Sequence, residues 1–355
     1  MGMKTVILGG GIAGLTAAET LRRFLPEAEI VLVDKEQEKP YIRPLLSKAR
    51  IRAFHPEKLY IHPENWYEEQ RITLKTGLEA VSIDPLLKTV AFSDGSIETY
   101  DKLICALGAD PFIPPIPGKD LPGVYAVRTI RDIRQIHRDS VLSEHAVIIG
   151  GGIIGAELAF ALKEAGLQVT MLEREYKLAG RMLDDESAEV FKERLKQAGI
   201  GIRTRVMKMA VLAGPDGRAA QVEAEIEGEG KVSFPAELVI ISCGVKASAE
   251  LLKNAGAKTG RGIVVNRAME TSLPDILACG DCIDYEGRNP GLFTFAKTSG
   301  MIAGLSAGLG ASSPEVKALS LSADSELIFS GRNIFLYAFG DLSGRAGEVS
   351  GEEGQ

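Results

Sequence analysis

The chain has 355 residues, with 41 Lys and Arg against 48 Asp and Glu and a net charge of −7. That length exceeds one ordinary core and predicts two or three domains, while the acidic balance argues against a nucleic-acid partner. No apolar run approaches the ~20 residues of a bilayer span.

The composition, 45% apolar with 39 glycines and 6% aromatics, fits an α/β protein rich in tight turns. Met1 passes almost directly into a strand, without the charged, apolar and cleavage regions of a signal peptide. A cytoplasmic location is therefore expected, where the four cysteines, Cys105, Cys243, Cys279 and Cys282, would stay reduced.

In chain order, residues 3–8 read as a strand, 12–24 as a helix and 29–34 as a strand. The segment VILGGGIAGLTAAETL places Gly9, Gly11 and Gly14 between the first strand and an alanine-rich helix. Asp34 then ends the apolar run AEIVLV, about 20 residues on, as the dinucleotide-binding signature requires. The first glycine permits the strand-to-helix turn, the second lets a pyrophosphate approach the backbone, and the third lets helix and strand pack closely. The helix start offers free N–H groups and a positive dipole end to the phosphates, and the acid accepts hydrogen bonds from ribose hydroxyls.

The next segment, KPYIRPLLSKARIRAFHPEKLYIHPENWYEEQ, is irregular and is expected to form a wall of a site. Residues 72–76, 79–84, 87–92 and 97–99 alternate like strands, with a turn SDGS at 93–96. A buried strand at 102–106 leads to a glycine, and the proline-rich stretch 111–117 reads as a crossing between domains.

The signature then recurs. VIIGGGIIGAELAFALKEAG carries Gly150, Gly152 and Gly155, and Glu173 ends the run QVTML. Residues 184–198 read as an amphipathic helix, and KVSFPAELVIISCGVKAS again ends a buried strand at a glycine. DILACGDC closes at Cys282, a Gly- and Ala-rich helix is expected over 296–309, and the tail EVSGEEGQ reads as disordered. The second dinucleotide domain is thus inserted into the first, and two such sites on one chain suggest electron transfer between two dinucleotides.

GGGIAG with Asp34, YDKLICALGA, GGGIIGAELA with Glu173, and TSLPDILACGDC stand in an order that resembles the FAD- and NAD(P)-dependent pyridine nucleotide oxidoreductases over about residues 3–310. YIRPLLSKA is similar to NADH-dependent rubredoxin and ferredoxin reductases and to the NADH-binding part of assimilatory nitrite reductases. The resemblance implies an α/β fold of two nested Rossmann-like domains. Residues 1–113 and 245–315 would bind FAD, 114–244 would bind NAD(H), and 316–355 would be a short remnant of the family's C-terminal interface domain. It also places Asp281 on the flavin ribityl chain, Arg128 near FAD and Phe293 near the cofactors. The remaining cofactor contacts it implies are Arg43, Val81, Ala106, Gly108, Ile153, Ile154, Gly244 and Gly280. Lys48 would stand by the flavin N5 edge, stabilising negative charge on the reduced ring, with Glu157 as its counter-ion across the domain boundary. These two are the expected catalytic residues.

Two departures from the pattern matter. The family's A-T-G reads Ala106-Leu107-Gly108, which removes a hydroxyl, and the C-terminal region is short, which makes dimerisation by the family mode doubtful. Cys279 and Cys282 form a C-x-x-C, but they flank Asp281, and the segment YIRPLLSKAR, where disulfide reductases hold their reactive cysteine, has none. A structural role is expected for the pair. His55, His62, His137 and His145 show no metal-ligand spacing, so no metal is expected. Glu173 would favour NADH over NADPH, against Arg174, while Lys177 and Arg181 read as solvated charges. The resulting expectation is an enzyme passing electrons from NADH through FAD to a rubredoxin- or ferredoxin-like protein. An NADH oxidase using oxygen, or a redox sensor that binds both nucleotides with little turnover, are the alternatives.

Overall fold

A computed structural model describes residues 2–180, 182–319 and 321, with the backbone of the strands Ser325–Gly331 and Ile334–Gly340. Arg181 and the tail expected to be disordered lie outside the described residues. The chain forms two compact units. Unit 1 comprises Met1–Arg43, Glu57–Asp110 and Lys246–Ala323, and unit 2 comprises Pro44–Pro56, Pro111–Val245 and Asp324–Gln355.

The β-branched runs build a five-stranded parallel sheet in each unit. In unit 1 the order is Ile276–Ala278, Lys102–Cys105, Lys4–Leu8, Glu29–Val33, Ile72–Lys75. Val6 lies opposite both Val31 and Leu103, and residues Val6 to Leu8 are buried, as the central strand of a sheet covered on both faces must be. Unit 2 repeats the plan with Val124–Ala126, Leu238–Ile241, His145–Ile149, Gln168–Leu172 and Gly201–Arg203. There Ile148 lies opposite Met171 and Ile240. The outer strand comes from downstream of the fingerprint in unit 1 and from upstream of it in unit 2. Each unit adds a three-stranded antiparallel sheet, spanning Ala80–Thr99 in one and Val206–Pro235 in the other.

In unit 1 the helix Ile12–Phe24 packs on the helix Phe293–Leu309 almost backbone to backbone. A Cβ added at Gly300 would lie 2.2 Å from the Ala13 carbonyl oxygen, and one at Gly304 would lie 2.6 Å from that of Ala17. The later helix starts at Phe293, three residues before the expected 296, because the chain turns helical directly after the extended Leu292.

Residues 44–56, which the sequence reading leaves in the first domain, group instead with unit 2. Side-chain bonds accompany this grouping. Ser47 and Lys48 bond Glu157, and His137 Nδ1 donates to the Ile51 carbonyl oxygen. No helix among the described residues is long and apolar enough to cross a membrane.

The helix pair in unit 1 makes a stability prediction. Gly300→Ala forces its methyl group against the Ala13 carbonyl and should cost about 1–3 kcal/mol, the range for overpacking a close contact. A thermal melt of the variant should shift down by several degrees; an unchanged midpoint would show that the helices do not pack this closely.

Candidate functional site

Unit 1 holds the first glycine loop in a form suited to a phosphate. Gly9 has φ +109°, and a Cβ there would lie 2.2 Å from the Ala106 carbonyl oxygen. A Cβ at Gly14 would lie 1.9 Å from the Gly9 oxygen, so the helix sits directly on the loop. Nothing lies within 4 Å of the Cβ position at Gly11, which leaves the room a pyrophosphate needs. Asp34 latches this loop: Gly10 N donates to its Oδ2 at 2.5 Å, and Glu36 N donates to Oδ1 at 2.8 Å. Burial raises the Asp34 carboxyl above its ordinary range, against the pull of those two N–H groups.

Unit 2 repeats the device. Gly150 has φ +113°, with its Cβ position 2.3 Å from the Ser242 carbonyl oxygen; that of Gly155 is 2.5 Å from the Gly150 oxygen, and that of Gly152 is open. Gly151 N donates to Glu173 Oε2 at 2.5 Å and Glu175 N to Oε1 at 2.8 Å. Arg174 is largely exposed, its guanidinium 3.1 Å from Glu175, and Lys177 bonds Asp185 at 2.8 Å. Ile153 is buried at the head of the helix and Ile154 is 53% exposed.

The absence of both a side-chain cap and a first-turn acid separates three of the α-helices from the other described ones. The helices Ile130–Ser140 and Asp185–Gln197 are capped by Thr129 and Asp184. Ile12–Phe24, Ile153–Glu164 and Phe293–Leu309 have no side-chain cap and no acid in the first turn. Their first N–H groups are left for another acceptor, which a cofactor phosphate or carbonyl would supply. The residues present thus fit two dinucleotides.

Among the other candidates in unit 1, Arg43 and the turn that carries Asp281 are held by hydrogen bonds. Arg43 donates to Tyr41 Oη and pairs with Glu36 Oε1, both at 2.7 Å, beside Asp34. Asp281 sits in the turn Gly280–Cys282; Gly280 N donates to buried Ser299 Oγ at 3.0 Å, and Asn289 Nδ2 donates to the Gly280 and Ile283 carbonyls. Leu107, which replaces the expected threonine, packs against the core, while Gly108 turns with φ +69°. Phe293 is the first, half-buried residue of its helix, and Val81 is 55% exposed. In unit 2, Gly244 has φ +99° with open space at its Cβ position, and Arg128 directly precedes the cap of the helix Ile130–Ser140.

The structure joins Lys48 and Glu157 within unit 2 rather than across a boundary. Lys48 Nζ lies 3.5 Å from Glu157 Oε1, with the lysine side chain 32% exposed and the glutamate 6%. The costly desolvated member is therefore the carboxylate, not the ammonium. Buried Ser47 donates to Glu157 Oε2. Burial pushes the Glu157 carboxyl up, while the Ser47 hydroxyl and the Lys48 ammonium pull it back. Sequence reasoning missed Ser47, Gly10, Gly151, Ser299 and Asn289. For the two glycines the signal was present, since each is the middle member of a GGG triplet whose N–H the distal acid accepts.

Cys105, Cys279 and Cys282 are buried free thiols, and Cys282 Sγ donates to the carbonyls of Cys279 and Cys105 at 3.2 and 3.4 Å. Burial pushes the Cys282 thiol up to about 12, which keeps it protonated and unreactive.

The raised carboxyl of Glu157 sets a pH dependence. A folded pKa above the unfolded one means stability is full below the ordinary glutamate range, about 4.3, and falls as pH rises through the folded value. Glu157→Gln removes that titration. Urea melts between acid and neutral pH should therefore show the parent losing ground to the variant as pH rises. A difference independent of pH, or one growing in the parent's favour, would contradict the burial of a charged Glu157.

The family model for pyridine nucleotide-disulphide oxidoreductases matches residues 3–300. The chain is 37% identical over 293 residues to an NADH oxidase of Methanocaldococcus jannaschii, covering 79% of this chain and 63% of that protein. It is 34% identical over 281 residues to a rubredoxin-NAD(+) reductase of Pseudomonas putida, covering 79% and 72%. The chain spans less than two thirds of the first of these relatives. The solved structure of putidaredoxin reductase in covalent complex with putidaredoxin aligns with a TM-score of 0.85 at 28% identity, covering 95% of this chain and 81% of that one. The expected α/β fold and family are borne out. Two acid-latched glycine loops agree with a match of this extent, and the chain belongs to the pyridine nucleotide-disulphide oxidoreductase family, enzymes that work with FAD and a nicotinamide dinucleotide.

Proposed function

We propose that this chain oxidises NADH and passes the electrons to a small redox protein of the rubredoxin or ferredoxin type. The observation that carries the reading is the duplicated loop: Gly9–Gly14 latched by Asp34 and Gly150–Gly155 latched by Glu173, each opening an uncapped helix. FAD, when bound, supplies the conversion of a two-electron hydride into single electrons. In this reading the Asp34 loop holds FAD, with Arg43 and Asp281 as further contacts, and the Glu173 loop holds NADH. Lys48 would supply positive charge to the reduced ring, and Glu157 would fix the lysine's position. The acceptor class rests on the relatives, which include reductases named for rubredoxin and ferredoxin.

Glu173 supports NADH over NADPH. Both its oxygens are pinned by backbone N–H groups at the strand end, so its negative charge is fixed where a 2′-phosphate would come. Arg174, the residue that would welcome that phosphate, is exposed beside Glu175. The unmodified protein should turn over NADH faster than NADPH, and Glu173→Ala should narrow or invert the ratio. Equal rates with the unmodified protein would overturn the assignment.

A second reading has one specific support, the relative named NADH oxidase. Stopped-flow reoxidation separates the two. NADH-reduced protein should be reoxidised by a rubredoxin at least tenfold faster than by dissolved oxygen, a difference of about 1.4 kcal/mol in barrier. The reverse order would assign an oxidase.

A further inference from the structure

An arginine face in unit 2 is not used by either dinucleotide loop. On the helix Ile130–Ser140, Ile130, Ile133 and Ile136 point into the core, while Arg131, Arg134 and Arg138 are exposed. At 3.6 residues per turn these three arginines fall within about 60° of one another around the axis. The helix's acids stand on its other flank and are engaged. Asp132 completes the capping box with Thr129, and Asp139 accepts from Tyr125 and Arg218.

The arginine face adjoins the segment 44–56, because His137 packs there and donates to the Ile51 carbonyl. That segment, PLLSKARIRAFHP, contains no acid, and its Arg50 and Arg52 are exposed. Directly after the helix, Val141 and Leu142 are 60% and 86% exposed. Exposed arginines thus stand beside an exposed apolar edge, and apolar exposure beside charge is the composition of a protein-binding face. The same segment carries Lys48, so this surface is continuous in sequence with the proposed redox pair.

We propose that this face, built from the arginines of the helix Ile130–Ser140, Arg50 and the Val141–Leu142 edge, docks an acidic face of the small redox protein that receives the electrons. The inference rests on the acceptor reading above. Opposite charges would steer the encounter and the apolar edge would hold it, giving a rate that falls with added salt.

The test uses the FAD-loaded protein, Arg131→Glu/Arg138→Glu as a double variant, and Arg50→Glu. Binding of a fluorescently labelled acidic rubredoxin is followed by anisotropy, and its reduction by NADH is compared with that of menadione, a small uncharged acceptor. The double variant should bind rubredoxin about tenfold more weakly at low salt and lose most of the salt dependence, while menadione reduction stays at the parent rate. Arg50→Glu should act in the same direction. Parent protein that binds rubredoxin through this face without reducing it would support the surface and sink the acceptor reading. Rubredoxin binding untouched by the reversals, absent in the parent, or matched by a duplex DNA oligonucleotide would overturn the docking proposal.

Discussion

One hydrogen bond, made twice, organises this molecule: the N–H of the middle glycine in each GGG triplet donates to a carboxylate at the end of the next strand. Gly10 bonds Asp34, and Gly151 bonds Glu173. The bond fixes the loop against the neighbouring strand, and the second carboxylate oxygen is taken by the N–H two residues on. With the loop held, the flanking glycines press against Ala106 and Ser242, and the following helix starts with its N–H groups uncommitted. An uncapped helix start forgoes about 1 kcal/mol of capping stabilisation. Both loops accept that cost at the point where a phosphate would restore the missing acceptor.

The two units solve the same packing problem with the same sheet, yet their surroundings differ. In unit 1 the helix after the loop is clamped from outside by Gly300 and Gly304 of a second uncapped helix. In unit 2 the corresponding helix instead buries Glu157, and the chain sends residues 44–56 to neutralise it with Ser47 and Lys48. A buried carboxylate left without partners would be strongly destabilising, so this segment is tied to unit 2 electrostatically and to the helix Ile130–Ser140 through His137. The surface it forms there is the arginine face, which links the proposed redox pair to a place where a charged partner would arrive.

Much of this was legible in the sequence, for physical reasons that can be named. Local patterns carry the glycine loops, their acids and the buried strands, because turn geometry and continuous apolar runs are written within a few residues. The helix expected over 12–24 is found at Ile12–Phe24, and that expected over 184–198 at Asp185–Gln197. The allegiance of residues 44–56 was not legible, since it depends on a bond between Ser47 and Glu157, 110 positions apart. The same holds for Ser299, whose buried hydroxyl steadies the Asp281 turn across 19 residues. The lysine–glutamate pair was drawn from a family likeness, which carries no sign that the acid is the member removed from water.

The proposed function requires one chain to hold a flavin dinucleotide and a nicotinamide dinucleotide that exchange a hydride. An anaerobic titration of the FAD-loaded protein with NADH, followed by the flavin's visible absorption, tests it most directly. One equivalent of NADH should bleach one flavin per chain. Flavin that stays oxidised in excess NADH, although both dinucleotides bind, would contradict it.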